Sequence, residues 1–105
     1  MFYEAKHSLY PEYCQIESGK NFSYPLHVHG CFEIIVITDG KMEVTVGDKP
    51  KTLSKGEAAF IFPNRIHGMK TEDVSSHKRC IFSGKLITWS SIVNLSASFP
   101  SNATQ

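Results

Sequence analysis

Long hydrophobic runs are missing from this chain of 105 residues: nothing in it is apolar over the ~20 residues that a membrane-spanning helix needs. Met1 to Tyr10 lacks the charged-then-apolar profile of a secretion signal, so a cytoplasmic protein with no membrane partner is expected. Charge of one sign is missing as well. Eleven Lys and Arg against ten Asp and Glu give a net charge of +1, which leaves no footprint for nucleic acid. Cysteine is scarce: Cys14, Cys31 and Cys80 form no CxxC and no even set, which excludes a disulfide scaffold and fits reduced thiols. Gly19-Lys20 lacks the upstream glycine of a phosphate-binding loop. What remains, 41% hydrophobic and 20% charged, is the composition of one ordinary globular domain.

What is there is short-period alternation. Tyr13 to Glu17 alternates loosely as a first strand, and Ser18 to Asn21 reads as a turn. Pro25 belongs at the start or on the edge of the strand that follows. Ile34 to Ile37 is β-branched and apolar on both faces, a buried strand closing at Asp39-Gly40. Lys41 to Val46 alternates cleanly with Met42, Val44 and Val46 inward, so Asp39-Gly40 is expected to join two strands as a hairpin. Further strands are expected near Lys51 to Leu53, over Ala58 to Phe62, from His67 to Thr71 and from Lys78 to Ser83. The last of these carries Cys80 and Phe82 on one face. Short strands separated by turn signals at roughly ten-residue spacing predict an all-β sandwich or small barrel. Around 84–95 the spacing of Leu86, Trp89, Ile92 and Val93 becomes helical, and 96–105 is Ser/Ala/Asn/Thr-rich and linker-like.

The chemistry concentrates in one stretch. His27 and His29 stand two apart, so on an extended chain both rings leave the same face with Cα atoms roughly 6.5 Å apart. Glu33 follows, and His67 returns after Pro63-Asn64-Arg65-Ile66. Imidazoles converging with a carboxylate can hold a metal, and Zn, Ni, Fe or Mn all suit that donor set; the alternative is a polar pocket lining with no metal. Tyr24, Met42, Phe60 and Phe62 are candidates for lining a ligand pocket. Arg65, beside His67, is a candidate for gripping a ligand's carboxylate or phosphate in bidentate fashion. Cys31 is expected to be a buried inert thiol, and His7 and His77 to be surface residues. Asp39, Asp48 and Asp73 fall in turns or loops, so no acid or base separate from the metal ligands stands out and no catalytic residue is assigned.

Written as His-x-His-x3-Glu-x6-Gly, His27, His29, Glu33 and Gly40 resemble the core of the first cupin motif, with Asn21 where that motif opens on glycine. Gly56, Pro63 and His67 resemble the second motif. Pro63 falls one residue late there, and Asn64 stands where a turn glycine is common. With their flanks, Phe32 to Ile37, Ala59 to His67 and Cys80 to Ile87, residues 13–88 resemble the N-terminal sensor domain of AraC-type transcription regulators. The resemblance implies a cupin double-stranded β-helix, or jelly-roll barrel, with a pocket at its mouth. It would be laid out as an arm at 1–12, a barrel at 13–83, a short amphipathic helix at 84–95 and a linker-like tail at 96–105. It implies a small-molecule effector, a metal or both bound by His27, His29, Glu33 and His67, and a homodimer. DNA would be reached only through a helix-turn-helix domain absent from this chain. The alternative is a stand-alone metal-dependent cupin enzyme of dioxygenase, isomerase or lyase type, using the same four residues.

Overall fold

The computed structural model describes residues 2–3 and 14–84. The expected helix beyond Gly84, the tail at 96–105 and the rest of the arm at 1–12 lie outside the described residues. Eight strands are seen: β1 (Phe2–Tyr3), β2 (Cys14–Lys20), β3 (Tyr24–Val28), β4 (Phe32–Val46), β5 (Lys49–Ser54), β6 (Ala58–Ile61), β7 (His67–Lys70) and β8 (Ser75–Phe82). Pairing runs β1-β3-β7-β4-β8-β2, with β5 and β6 also on β4. One layer is therefore β1, β3, β7, β5 and the second half of β4; the other is β2, β8, β6 and the first half of β4. All pairs are antiparallel except β1 with β3, and β4 binds the layers together.

The hairpin expected at Asp39-Gly40 is not formed. β4 continues straight through, with its register against β8 slipping between Ile37 and Asp39. The reason is visible in the burial pattern. Ile35 and Ile37 point inward before the slip, and Met42 and Val44 after it, so the inward parity changes from odd to even. One extra residue must be inserted to keep both halves facing the core, which is what a bulge does. Gly40 supplies the left-handed conformation at φ 69°. A Cβ at Gly40 would run into the carbonyl of Val74, whose oxygen accepts from Lys41 N at 3.1 Å.

Two apolar clusters sit on opposite faces of the second layer. The inner one gathers Ile35, Ile37, Met42, Val44, Leu53, Ala59, Ile61 and Met69 from both layers, with Phe22, Tyr24 and Val46 against it. The outer one is built on Ile34, Phe60 and Phe82, flanked by Phe32, Val36, Phe62 and Cys80. β2 departs from ordinary alternation: Ile16 is 75% exposed, while Gln15 and Glu17 turn inward. Both places where the motif resemblance would put glycine are asparagines in the left-handed region, Asn21 at φ 54° and Asn64 at φ 64°. Asparagine is the side chain that tolerates this best, so the turns survive the substitution.

Gly40→Ala is expected to cost more than about 2 kcal/mol, since strain at positive φ and a backbone clash add. Gly56→Ala, at φ 87° with open space around it, is expected to cost about 1 kcal/mol. Urea denaturation of both variants checks this, and equal losses would deny the close approach at Gly40.

Candidate metal and ligand site

His27 on β3 faces His67 on β7 as a directly opposed cross-strand pair, and their ring centroids lie 4.1 Å apart. His29 follows the end of β3, its ring 4.9 Å from that of His67. Glu33 arrives from the other layer, on β4, where it pairs with Ile61 and Ile81. Strand parity through Gly30 thus does not carry Glu33 to the histidines; the chain turns at 29–31 and a second strand delivers it. The Asn64 amide donates to the His29 carbonyl at 2.8 Å and ties the turn before His67 to the histidine strand. All four side chains are buried, with one potential ligand atom from each lying within 4.8 Å of the others.

Hydrogen bonding fixes the protons. His27 donates from Nδ1 to the Pro25 carbonyl at 2.8 Å, and His67 from Nδ1 to the Arg65 carbonyl at 2.8 Å, each reaching two residues back. A carbonyl only accepts, so both Nδ1 atoms carry hydrogen and both Nε2 atoms turn to the centre. Nε2 of His27 is buried and makes no hydrogen bond among the described residues. Nε2 of His67 lies 3.2 Å from Glu33 Oε1, within hydrogen-bond distance. His29 is arranged the other way round. Its Nδ1 accepts from the Cys31 amide at 3.3 Å and its Nε2 donates to Glu33 Oε1 at 3.0 Å.

Burial on its own raises the pKa of Glu33. The hydrogen bonds from His29 and His67, with the charges of His67 and Arg79, outweigh it and hold the carboxyl at about 2. Burial pushes His27 below its ordinary value, with the Pro25 carbonyl opposing in part, so its Nε2 lone pair stays available. The donor set fits a divalent transition ion. Two rings are already anchored through Nδ1 on backbone carbonyls, the usual outer-shell arrangement of metal-binding histidines. His29 fits only after its Nδ1 gives up the Cys31 amide.

Behind Glu33 lies a charged chain that strand patterning did not flag. Arg79 on β8 bridges to Glu17 on β2 and approaches Glu33 Oε2 at 3.8 Å, its guanidinium 4.7 Å from the centroid of the Phe22 ring. The expected pairing of Cys80 with Phe82 on one face already placed Arg79 and Ile81 on the other. His77 is a correction: it is buried, not on the surface. It sits over Gly19 and beside Phe22, and burial, then Arg79, lower its pKa. Cys31 is buried as expected, and burial next to Cys14 pushes the Cys80 thiol up to about 11, so Cys80 stays protonated.

The five candidate ligand-binding residues separate. Tyr24 stands edge-on to His27 at 4.7 Å and borders the centre. Met42 is fully buried in the inner core. Phe60 and Phe62 belong to the outer cluster, their rings stacked at 5.1 Å, because period two gives the inner face of this segment to Ala59 and Ile61. Arg65 is exposed, its carbonyl on His67 and its side chain toward a cleft by Gly47.

A β-barrel of two layers joined by a shared strand, with this four-residue centre, is a cupin double-stranded β-helix. Within that class the chain belongs to the family described as AraC-like ligand binding domain, which it matches over residues 9–90. No curated protein matches it. Solved structures agree on the fold. Protein NMB1881 from Neisseria meningitidis is 24% identical with a TM-score of 0.58, over 67% of this chain and 74% of that one. An RmlC-like cupin from Methanocaldococcus jannaschii is 16% identical with a TM-score of 0.61, over 70% and 72%. TT1209 from Thermus thermophilus is 20% identical with a TM-score of 0.63, over 70% and 75%. Among the described residues no helix is long and apolar enough to cross a membrane.

The depressed Glu33 pKa sets a sign for acid stability. Its contribution is complete above the ordinary value near 4.5 and is lost as pH falls towards 2, about 3 kcal/mol in all. In metal-stripped protein, Glu33→Gln is expected to remove that part of the pH dependence. Chemical denaturation of both proteins between pH 5 and pH 2, about the range of the titration, reads it. Parallel curves would mean that Glu33 is not held ionised.

Proposed function

We propose that this chain is the effector-sensing domain of a cytoplasmic AraC-type transcription regulator, without catalysis of its own. The family match over residues 9–90 carries the reading. Binding at the barrel would bias the placement of a DNA-binding domain lying beyond the linker-like 96–105 segment. The coupling is limited to the ligand's differential affinity for the two arrangements, typically about 1–3 kcal/mol. Two copies are proposed to associate, and light scattering behind size-exclusion should give twice 11.8 kDa. Reading the coding region past Gln105 decides the regulator assignment. Two helix-turn-helix patterns in frame support it, and a stop codon there sinks it.

A divalent ion is part of the proposal, with His27 Nε2, His67 Nε2 and a Glu33 oxygen as its first ligands and His29 joining after a ring turn. Such an ion would supply a Lewis-acidic anchor for an oxygen-bearing ligand. Zn²⁺ titrated calorimetrically into chelator-treated protein is expected to bind at one site per chain. His27→Ala or His67→Ala should weaken it by more than about 100-fold. Unchanged affinity in both variants would place any zinc elsewhere.

The completeness of the four-residue cluster also favours a second reading, a metal-dependent cupin enzyme. That reading needs a group to move protons. The charged side chain next to Glu33 is Arg79, which Glu17 holds, and a guanidinium is a poor general acid or base.

A further inference from the structure

β5 breaks the alternation rule at the rim of the barrel. Its residues face β4 in the register Leu53 with Met42, Lys51 with Val44 and Lys49 with Val46. Directly opposed residues share a face of the sheet, so Lys51 and Lys49 continue the inward row that Leu53 begins. Two lysines thus continue the row of Leu53 beyond the buried interior, both of them exposed at the barrel rim. They line a cleft of about 430 Å³, floored by Val44, Val46, Leu53 and Ala59. Arg65 closes it from another segment. The Gly47 amide donates to the Ile66 carbonyl at 2.7 Å, fixing the β4–β5 turn against the chain that carries Arg65. The Arg65 guanidinium lies 4.0 Å from where a Cβ on Gly47 would stand. Lys49, Lys51, Arg65 and Asp48 surround an apolar floor.

We infer that this cleft takes a small organic anion, its carboxylate or phosphate held by Arg65 with Lys49 and its apolar body laid on the valines. The inference rests on the ligand-binding reading above and names the ligand class. The volume is that of an ordinary small-molecule site, and the mix of an apolar lining with a few charged groups is what such sites use for orientation. Arg65 supplies the planar fork that matches a carboxylate or phosphate. The competing account is that Lys49, Lys51 and Pro50 only protect β5, which pairs with β4 alone among the described residues, from edge-to-edge association. That account gives Arg65 no role.

The test titrates the chain with octanoate, with its neutral analogue octanamide and with acetate, followed by calorimetry and backbone amide shifts. Octanoate should bind saturably and move the amides of Val44, Val46 and Ala59. Octanamide and acetate should each bind at least about tenfold more weakly, a difference of about 1.4 kcal/mol. Arg65→Gln, an exposed position, should lower octanoate affinity about tenfold at unchanged melting temperature and leave octanamide untouched. Lys49→Gln should act the same way. Octanamide matching octanoate, or an indifferent Arg65→Gln, would overturn the inference and leave edge protection only. If octanoate fails while inositol moves the amides around His27 and His67, the anion falls and the ligand-binding reading stands. If neither binds, the anion falls as well, and the in-frame sequence past Gln105 still decides the regulator reading.

Discussion

An ionised carboxylate sealed inside a barrel is the constraint on which the rest depends. Taken out of water alone, a carboxylate costs several kcal/mol, so Glu33 survives as an anion only if its donors are in place. The donors are His29 and His67, both at Oε1, while Oε2 has no hydrogen-bond partner among the described residues and is met only by the charge of Arg79 at 3.8 Å. Each is held in turn. His67 is oriented by the Arg65 carbonyl, His29 by the Cys31 amide, and Arg79 by Glu17. A slip of one residue in β7 or β8 would turn His67 or Arg79 to the opposite face and strand the charge. The centre therefore fixes register as well as chemistry. It does so where the apolar core alone is weakly selective, because β-branched residues occupy both faces of β4.

Much of this was readable in the residues, and the parts that were not share a cause. The two-residue spacing of His27 and His29, the later His67 and the alternation of Met42, Val44 and Val46 all rest on local period two, which a regular strand obeys. The reading failed where a feature depends on a distant partner. Asp39-Gly40 has the chemistry of a hairpin turn and of a bulge alike, and only the change of inward parity between Ile37 and Met42 distinguishes them. Phe60 and Phe62 look like pocket lining because they are large and apolar, yet their parity opposes that of Ala59 and Ile61. Arg79 and Glu17 carry no local signal, because a charge on a strand normally belongs to solvent. Inside this barrel they answer one another and Glu33, an arrangement that no window of adjacent residues contains.

Arg65 shows how the two candidate sites are joined. Its backbone carbonyl accepts the His67 Nδ1 proton, while its side chain reaches the cleft beside Gly47. The same short segment is pinned twice more, by Asn64 to the His29 carbonyl and by Gly47 to Ile66. A guanidinium drawn onto an anion would therefore pull on a backbone that is already fastened to two histidines. The converse holds for an ion that draws His67 Nε2 away from Glu33. Reciprocity is required by thermodynamics: whatever one ligand does to the affinity of the other, the other returns by the same factor. Its size is bounded by how differently each ligand binds the two positions of this segment. Such coupling would be transmitted through the pairing of β7 with β4, which joins Val44 and Val46 of the cleft to His67.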